Sequence, residues 1–331
     1  VAQRGTSATG LGDGDEGYVV QDRWRHTVAA GAGRYTATQT ADGPSGFANC
    51  FKIACTTADT SIAATERFMF VQRIEGQDLQ QLKKGTSDAE KVTVSFYVKG
   101  HDSATYVCAL YDVDNDRFVG ATFPVTTSWA RQTITFPADT TGALGNDNTN
   151  NLELRFILHA GSNFTSGTLA TAWESATAAN FAVGINSIFE STSATFFLTG
   201  VQLEVGEQAT PFEHRSFGEE LMLCQRYYFQ KISGNSQPVG IGTYITSGQI
   251  RTYVDFPVEM RADPSIVTSS DTNHFNIESP SDNFDGGWVL VQVNKNSAVP
   301  YATGNVAGTQ SYSGIIRSIS ADSRLAFNSE L

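Results

Sequence analysis

Lys91–Gly100 reads KVTVSFYVKG, and the alternation in it decides the fold. Val92, Val94, Phe96 and Val98 point one way, and Thr93, Ser95, Tyr97 and Lys99 point the other. A period of two marks a strand with one face in a core and the other toward water. The pattern recurs in NLELRFILHAG (151–161), where Leu152, Leu154, Phe156 and Leu158 share a face. ATYVCALYDVDNDRFVGATF (104–123) is a strand, an Asp/Asn turn and a returning strand, which makes a hairpin. Such strands run from about residue 18 to residue 205, with Gly, Asn, Asp and Thr clusters between them. This predicts an antiparallel sandwich rather than a parallel sheet with crossover helices.

Helical signals are few. RIEGQDLQQLKKG (73–85) is expected to form one short helix, with Leu79 and Leu82 inward and Gly85 as its stop. In SFGEELMLCQRYYF (216–229), Ser216 and Glu219 make a capping box, and Phe217, Leu221, Cys224 and Tyr228 fall on one helical face. Beyond it the β pattern resumes. PVGIGTYITSGQIRTYVDFPV (238–258) is a hairpin turning at Ser247-Gly248. GGWVLVQVN (286–294) and SGIIRSIS (313–320) are further strands, and RLAFNSEL (324–331) is a short strand with a tail.

The chain has 331 residues, of which 40% are hydrophobic and 17% charged, as in an ordinary globular protein large enough for two or three domains. Its net charge of −12 repels phosphate backbones and anionic lipid, and no Lys/Arg stripe offsets it. Nucleic-acid and membrane partners are therefore not expected, and no apolar window approaches a membrane span. No basic-then-apolar leader is read at the start. Cys50 and Cys55 lie on opposite faces of NCFKIAC (49–55), ~17 Å apart if extended, and cannot bridge each other. Neither a disulfide frame nor a zinc spacing emerges with Cys108 and Cys224 added, so reduced, cytosolic folding is expected.

Catalytic patterns are missing too. His26, His101, His159, His214 and His274 are scattered, and there is no HExxH, no GxSxG elbow and no Gly-rich phosphate loop. No metal or cofactor site is expected, nor a catalytic residue, although 34 acidic residues leave a glycosidase pair open on count alone. Asp112, Asp114 and Asp116 in DVDND invite a calcium reading. Arg117 and Phe123 stand where an EF-hand needs Gly and Glu, so a hairpin turn is the reading taken. Trp24, Trp129 and Trp173 are expected under loops near strand ends, and Trp288 in a core.

Carbohydrate binding is the candidate chemistry, because sugars stack apolar faces on aromatic rings while polar neighbours take the hydroxyls. The face carrying Tyr97 and Lys99, paired with the matching face carrying Glu153 and Arg155, would place an aromatic beside an acid and a base. A solvated sheet face with incidental charges has the same composition.

LTGVQLEVGEQATPFEHRSFGEELMLCQRYY (198–228) resembles the junction of a family of tailed-bacteriophage virion proteins. There, a GVQLE-VG…ATPFE segment closes a carbohydrate-binding-module-like jelly roll, and a CQRYY segment leads into a C-terminal domain. AQRGTS (2–7), GYVVQDRW (17–24), VTVSFYVKG (92–100), TTSWARQTITFPADTTG (126–142), FPVEMRADPSIV (256–267) and FNSEL (327–331) are similar to other stretches of that family. The family's short apolar lead-in before the QRG segment is not seen ahead of Val1.

The resemblance implies an all-β protein with a jelly-roll β-sandwich over 1–210, a linker with a short helix over 211–229, and a smaller C-terminal β domain over 230–331. It further implies a non-enzymatic fibre or spike-type appendage of tail or head, assembled in the host cytoplasm into the virion. Such a protein would commonly be a homotrimer that contacts other phage virion proteins and host surface polysaccharide. A capsid decoration (cement) protein that binds no sugar is the alternative, and a polysaccharide-degrading enzyme a further one. Within the junction, Val201, Leu203 and Val205 are expected to form a core strand ended by Gly206. Pro211 then stops it, and Phe212 plugs the gap between domains.

Overall fold

The computed structural model describes residues 1–29, 31–278 and 281–331. The chain divides into two compact units, Ala2–His214 and Arg215–Glu330, and both are built almost wholly of antiparallel strands. No helix among the described residues is long and apolar enough to cross a membrane.

In the first unit the strands are β1 (Ser7–Leu11), β2 (Gly17–Tyr18), β3 (Trp24–Ala29), β4 (Arg34–Thr40) and β5 (Cys50–Thr57). They continue as β6 (Arg67–Glu75), β7 (Val92–Gly100), β8 (Ala104–Asp112) and β9 (Arg117–Val125). The last are β10 (Ala130–Phe136), β11 (Asn150–Ala160), β12 (Glu174–Ser175) and β13 (Thr195–Val205). They form a six-stranded sheet in the order β1-β4-β5-β13-β7-β10 and a seven-stranded sheet in the order β12-β9-β8-β11-β6-β3-β2. The chain crosses repeatedly from one sheet to the other, giving a jelly-roll sandwich. The alternating residues fill the space between the sheets: Val92, Val94, Phe96 and Val98 of β7 share a core with Leu152, Leu154, Phe156 and Leu158 of β11. A smaller apolar cluster (Met69, Val71, Val107, Ala109, Phe118 and Ile157) lies on the other side of the seven-stranded sheet. There it meets Ala170 and Ala182, with Phe164, Leu169 and Phe181 packed against it, all from the 161–194 connection.

The expected helix at 73–85 is instead two 3₁₀ turns, Gly76–Asp78 and Gln80–Leu82. Leu79 and Leu82 are buried as expected, but Lys83 turns left-handed (φ 48°) and ends the coil before an α-helical turn can propagate. Lys84 is drawn into the interior, where it bridges the buried carboxylates of Asp112 and Asp139. The DVDND segment is a turn. Asp112 also accepts from Asn115, Asp114 from Gly145 and Asn151, and Asp116 from the Tyr111 hydroxyl at 2.7 Å. All four cysteines are buried, with Cys55 in the core and Cys50 donating to the Asp42 carbonyl on the other face.

The second unit begins with the helix Phe217–Gln225, whose capping box of Ser216 and Glu219 is formed. Its burial differs from the expected stripe. Cys224 is inside, but Phe217 is 72% exposed, and Tyr228 has already left the helix for the strand Tyr228–Ser233. A three-stranded sheet joins Tyr228–Ser233, Arg324–Asn328 and Ser265–Thr268. An eight-stranded sheet is built around the hairpin Pro238–Thr246/Gln249–Thr252, which turns at Ser247-Gly248. Trp288, Tyr244, Phe275, Phe284 and Phe327 centre the core. The other face of the hairpin is apolar and open at the end away from the turn. Ile241 pairs directly with Ile315, and the two are 71% and 51% exposed, beside an exposed Tyr253.

A histidine lies inside the first core. His26 shares a 2.8 Å hydrogen bond with the Tyr35 hydroxyl and is enclosed by Phe51, Phe68 and Phe70. Burial pushes its imidazole down to about 3. The unfolded chain therefore binds a proton near pH 6.5 that the folded chain refuses, and stability falls as pH drops from 6.5 toward 3. At pH 4.5 the loss from His26 is on the order of 2–3 kcal/mol. Urea unfolding at pH 7 and pH 4.5 should show it, and His26→Gln should shrink the difference between the two by about that amount.

Candidate functional site

The structure separates the four residues expected to share one groove. Tyr97 and Lys99 lie on β7, on the outer face of the six-stranded sheet; Glu153 and Arg155 lie on β11, on the outer face of the seven-stranded sheet. Because the inward residues of β7 and β11 meet in one core, their outward residues face opposite sides of the sandwich. The expectation of a common groove fails on that pairing. Glu153 and Arg155 are also engaged within the chain. The buried Glu153 carboxylate accepts from Arg155 at 2.6 Å and Arg73 at 3.1 Å, and the Arg155 guanidinium lies 3.8 Å from the Tyr111 ring centroid. Burial pulls the Glu153 carboxyl upward, but Arg155 and Arg73 outweigh it and hold the group below its ordinary range.

The outer face of the six-stranded sheet has a different character. Phe197 of β13 stands beside Lys99 of β7 on one side and Lys52 of β5 on the other, and Lys52 stands beside Thr38 of β4. Trp129 precedes β10 at the level of Lys99. Neighbouring strands are about 4.8 Å apart, so Trp129, Lys99, Phe197 and Lys52 form a row of roughly 14 Å across four strands. Both ammonium groups settle on the same phenyl ring, Lys99 at 4.6 Å and Lys52 at 5.3 Å from its centroid. Lys99 is also 5.4 Å from the Trp129 ring, which meets Phe197 edge-on at 6.2 Å. Lys99 pairs with Asp42 at 2.8 Å, whereas Lys52 has no carboxylate partner among the described residues.

A second row borders the first. Tyr97 faces Arg131 across the β7–β10 pair, and the guanidinium lies 6.0 Å from the ring centroid. Phe47, from the loop between β4 and β5, packs on Tyr97 at 5.1 Å and is flanked by Phe212 and His214. This packing needs Gly200. Its backbone is left-handed (φ 58°), and a Cβ there would lie 2.7 Å from the Phe47 ring and 3.1 Å from Tyr97.

The junction segment covers the rest of this face. Gly206 accepts from the Thr93 hydroxyl, Thr210 from Arg131, and Glu207 from Thr135. Thr93 and Ser95 are buried as a result. Val201 and Leu203 pack against the core, but Val205 is exposed, and Phe212 rests on Phe47 within the first unit. The 206–213 segment is thus a strap on the sheet that does not reach the Trp129–Lys52 row, where Trp129, Lys99 and Lys52 are half-buried and Phe197 is buried beneath the two ammonium groups.

Alternation identifies the outward positions of Tyr97, Lys99 and Lys52, but not Phe197, because only register tells which of Phe196 and Phe197 turns inward. Sequence reading also placed Trp129 under a loop, while the structure puts it at the open end of the row, half-buried. A third constellation has no sequence signal. Ser187 and Glu66 hydrogen-bond the two ring nitrogens of His159 at 2.8 and 3.1 Å. These are residue types of a nucleophilic relay, but His159 and Glu66 are buried, and Phe189 packs edge-on to the imidazole at 5.1 Å. The set joins the start of β6, the end of β11 and the 185–190 loop. Among the described residues, no group of three His, Cys, Asp or Glu side chains is arranged to hold a metal ion.

No protein-family model matches the chain, and no curated protein matches it. Several solved structures are similar over part of it. The enzymatically active domain of tailspike protein 4 from bacteriophage CBA120 is 12% identical over 55% of this chain, with a TM-score of 0.32. This chain spans 19% of that tailspike's length. The CBM22-1 xylan-binding domain of Paenibacillus barcinonensis Xyn10C is 15% identical over 61% of this chain and 94% of its own, with a TM-score of 0.29. A family 11 carbohydrate-binding module from Clostridium thermocellum, solved with a mixed-linked tetrasaccharide, is 11% identical over 63% of this chain and 99% of its own, with a TM-score of 0.30. The jelly-roll assignment rests on this chain's own strand pairing.

Gly200→Ala tests the aromatic corner. A left-handed alanine costs about 1 kcal/mol, and displacing Phe47 adds to it. Chemical denaturation should register a loss of about 1–2 kcal/mol, and amide exchange should rise in residues 41–49 but not in β8 or β11.

Proposed function

We propose that this chain is a non-catalytic bacteriophage virion protein of the fibre or spike type that attaches to host surface polysaccharide. The outer face of its six-stranded sheet is the binding surface. The observation that carries the reading is the row Trp129–Lys99–Phe197–Lys52 on the half of the sheet that the strap leaves open. A partly exposed indole with ammonium donors beside it suits a sugar chain, which has apolar ring faces and peripheral hydroxyls. The junction stretch 198–228, which resembles that of phage virion proteins, supports the virion assignment. Tyr97 and Lys99 belong to this surface under the proposal; Glu153 and Arg155, on the opposite side and engaged with each other, do not.

A second reading, as a decoration or cement protein working through protein contacts, is favoured by a separate observation. The second unit exposes Ile241, Ile315 and Tyr253 on one sheet, together with Val289 and Val291. Isolated exposed apolar residues are ordinary, but a contiguous set marks a contact surface. A homotrimer, or attachment to another virion protein, would bury it.

Two measurements separate the readings. On a glycan array the soluble chain should bind at least one bacterial polysaccharide, and Trp129→Ala should weaken binding at least tenfold with its melting temperature unchanged. No binding to any glycan, with firm binding to purified particles lacking the protein, would favour the cement reading. For the second unit, Ile241→Lys should lower the assembled mass in light scattering, or incorporation into particles, while glycan binding persists.

A further inference from the structure

We infer that the polysaccharide recognised by the open row is anionic, with carboxylate or phosphate groups on its sugars. The inference rests on the glycan reading above and names the substrate class of that same surface. Two ammonium groups, Lys52 and Lys99, converge on the single ring of Phe197 from the strands on either side of it. Like charges held this close repel each other, and the sheet fixes both stems in place. One carboxylate, Asp42, answers Lys99 from the edge of the row; none answers Lys52 among the described residues. Arg131 adds a third cation one step along β10, and Glu204 stands near it with its carboxylate accepting from Thr210 of the strap.

The surplus is local and runs against the whole chain. Acidic residues outnumber Lys and Arg by 34 to 22, so a surface chosen at random would be negative. A cationic pair on an aromatic floor within such a chain is an anion site of the kind a ligand completes. An acidic sugar satisfies both parts together: its ring lies on the half-buried Trp129, and its anionic group reaches the Lys99 and Lys52 ammonium groups that cover Phe197. The long-range repulsion of the −12 chain discourages indiscriminate polyanion binding, so recognition requires the ring as well as the charge.

The test measures binding of the full chain by calorimetry to polygalacturonate, a phosphate-bearing mannan, neutral dextran and polyglutamate. Polygalacturonate or the phosphomannan should bind, the stronger of the two identifying the anionic group, and dextran and polyglutamate should bind at least tenfold more weakly. Lys52→Gln and Lys99→Gln should each reduce that affinity about tenfold with melting temperatures unchanged, and Lys295→Gln, in the second unit, should leave it intact. Equal or tighter binding of dextran would overturn the anionic assignment while leaving the glycan reading standing. Equal binding of polyglutamate would show that charge alone is sensed. Undiminished affinity in both lysine variants would remove the row as the site, and silence toward every polysaccharide here and on the array would remove the glycan reading itself.

Discussion

The contact that organises the first unit is the meeting of β7 and β11 across the sandwich, Val94 and Phe96 from one sheet against Leu154 and Phe156 from the other. Once those residues face one another, every second residue on each strand is committed to a separate outer surface. Phe96 packs edge-on to Phe156 at 4.9 Å and to Phe123 at 5.0 Å, so a register slip would cost several aromatic contacts at once. The two outer faces then diverge in character. One is covered by the 161–194 connection and closed by the Glu153–Arg155–Tyr111 cluster; the other holds the strap and the open aromatic row.

This division explains how much was legible in the sequence. Alternation in Val92–Val98 and Leu152–Leu158 was enough to read strands and their inward sides, because hydrophobic period is a local property. Which strands are neighbours is not local. Tyr97 and Arg155 look like parts of one polar face until the sheet order separates them, and nothing in either stretch carries that order. The same holds for Phe197, whose outward turn follows from pairing with Lys99 and Lys52, and for His159, which meets Glu66 from 93 residues away. The capping box at Ser216 was readable because all its parts lie within four residues, whereas the inward face of that helix depends on what packs against it.

The second unit shows the limit from the other side. Ile241 and Ile315 sit where period-two reading puts polar residues, and their exposure breaks the inside–outside rule on that sheet face. Such departures gather where a surface has work beyond folding. In the first unit the analogous departure is chemical: two cations on one phenyl ring in an acidic chain.

The strap also has a mechanical side. Residues 206–213 are fastened to the six-stranded sheet by separate side-chain-to-carbonyl bonds from Thr93, Thr135 and Arg131, not by a continuous ladder. Tension arriving along the chain at His214 would load those fastenings one after another, releasing them in sequence before β13 itself is pulled. The strap would thus give a few residues of slack first, and the sheet bearing the aromatic row would keep its shape under the tug.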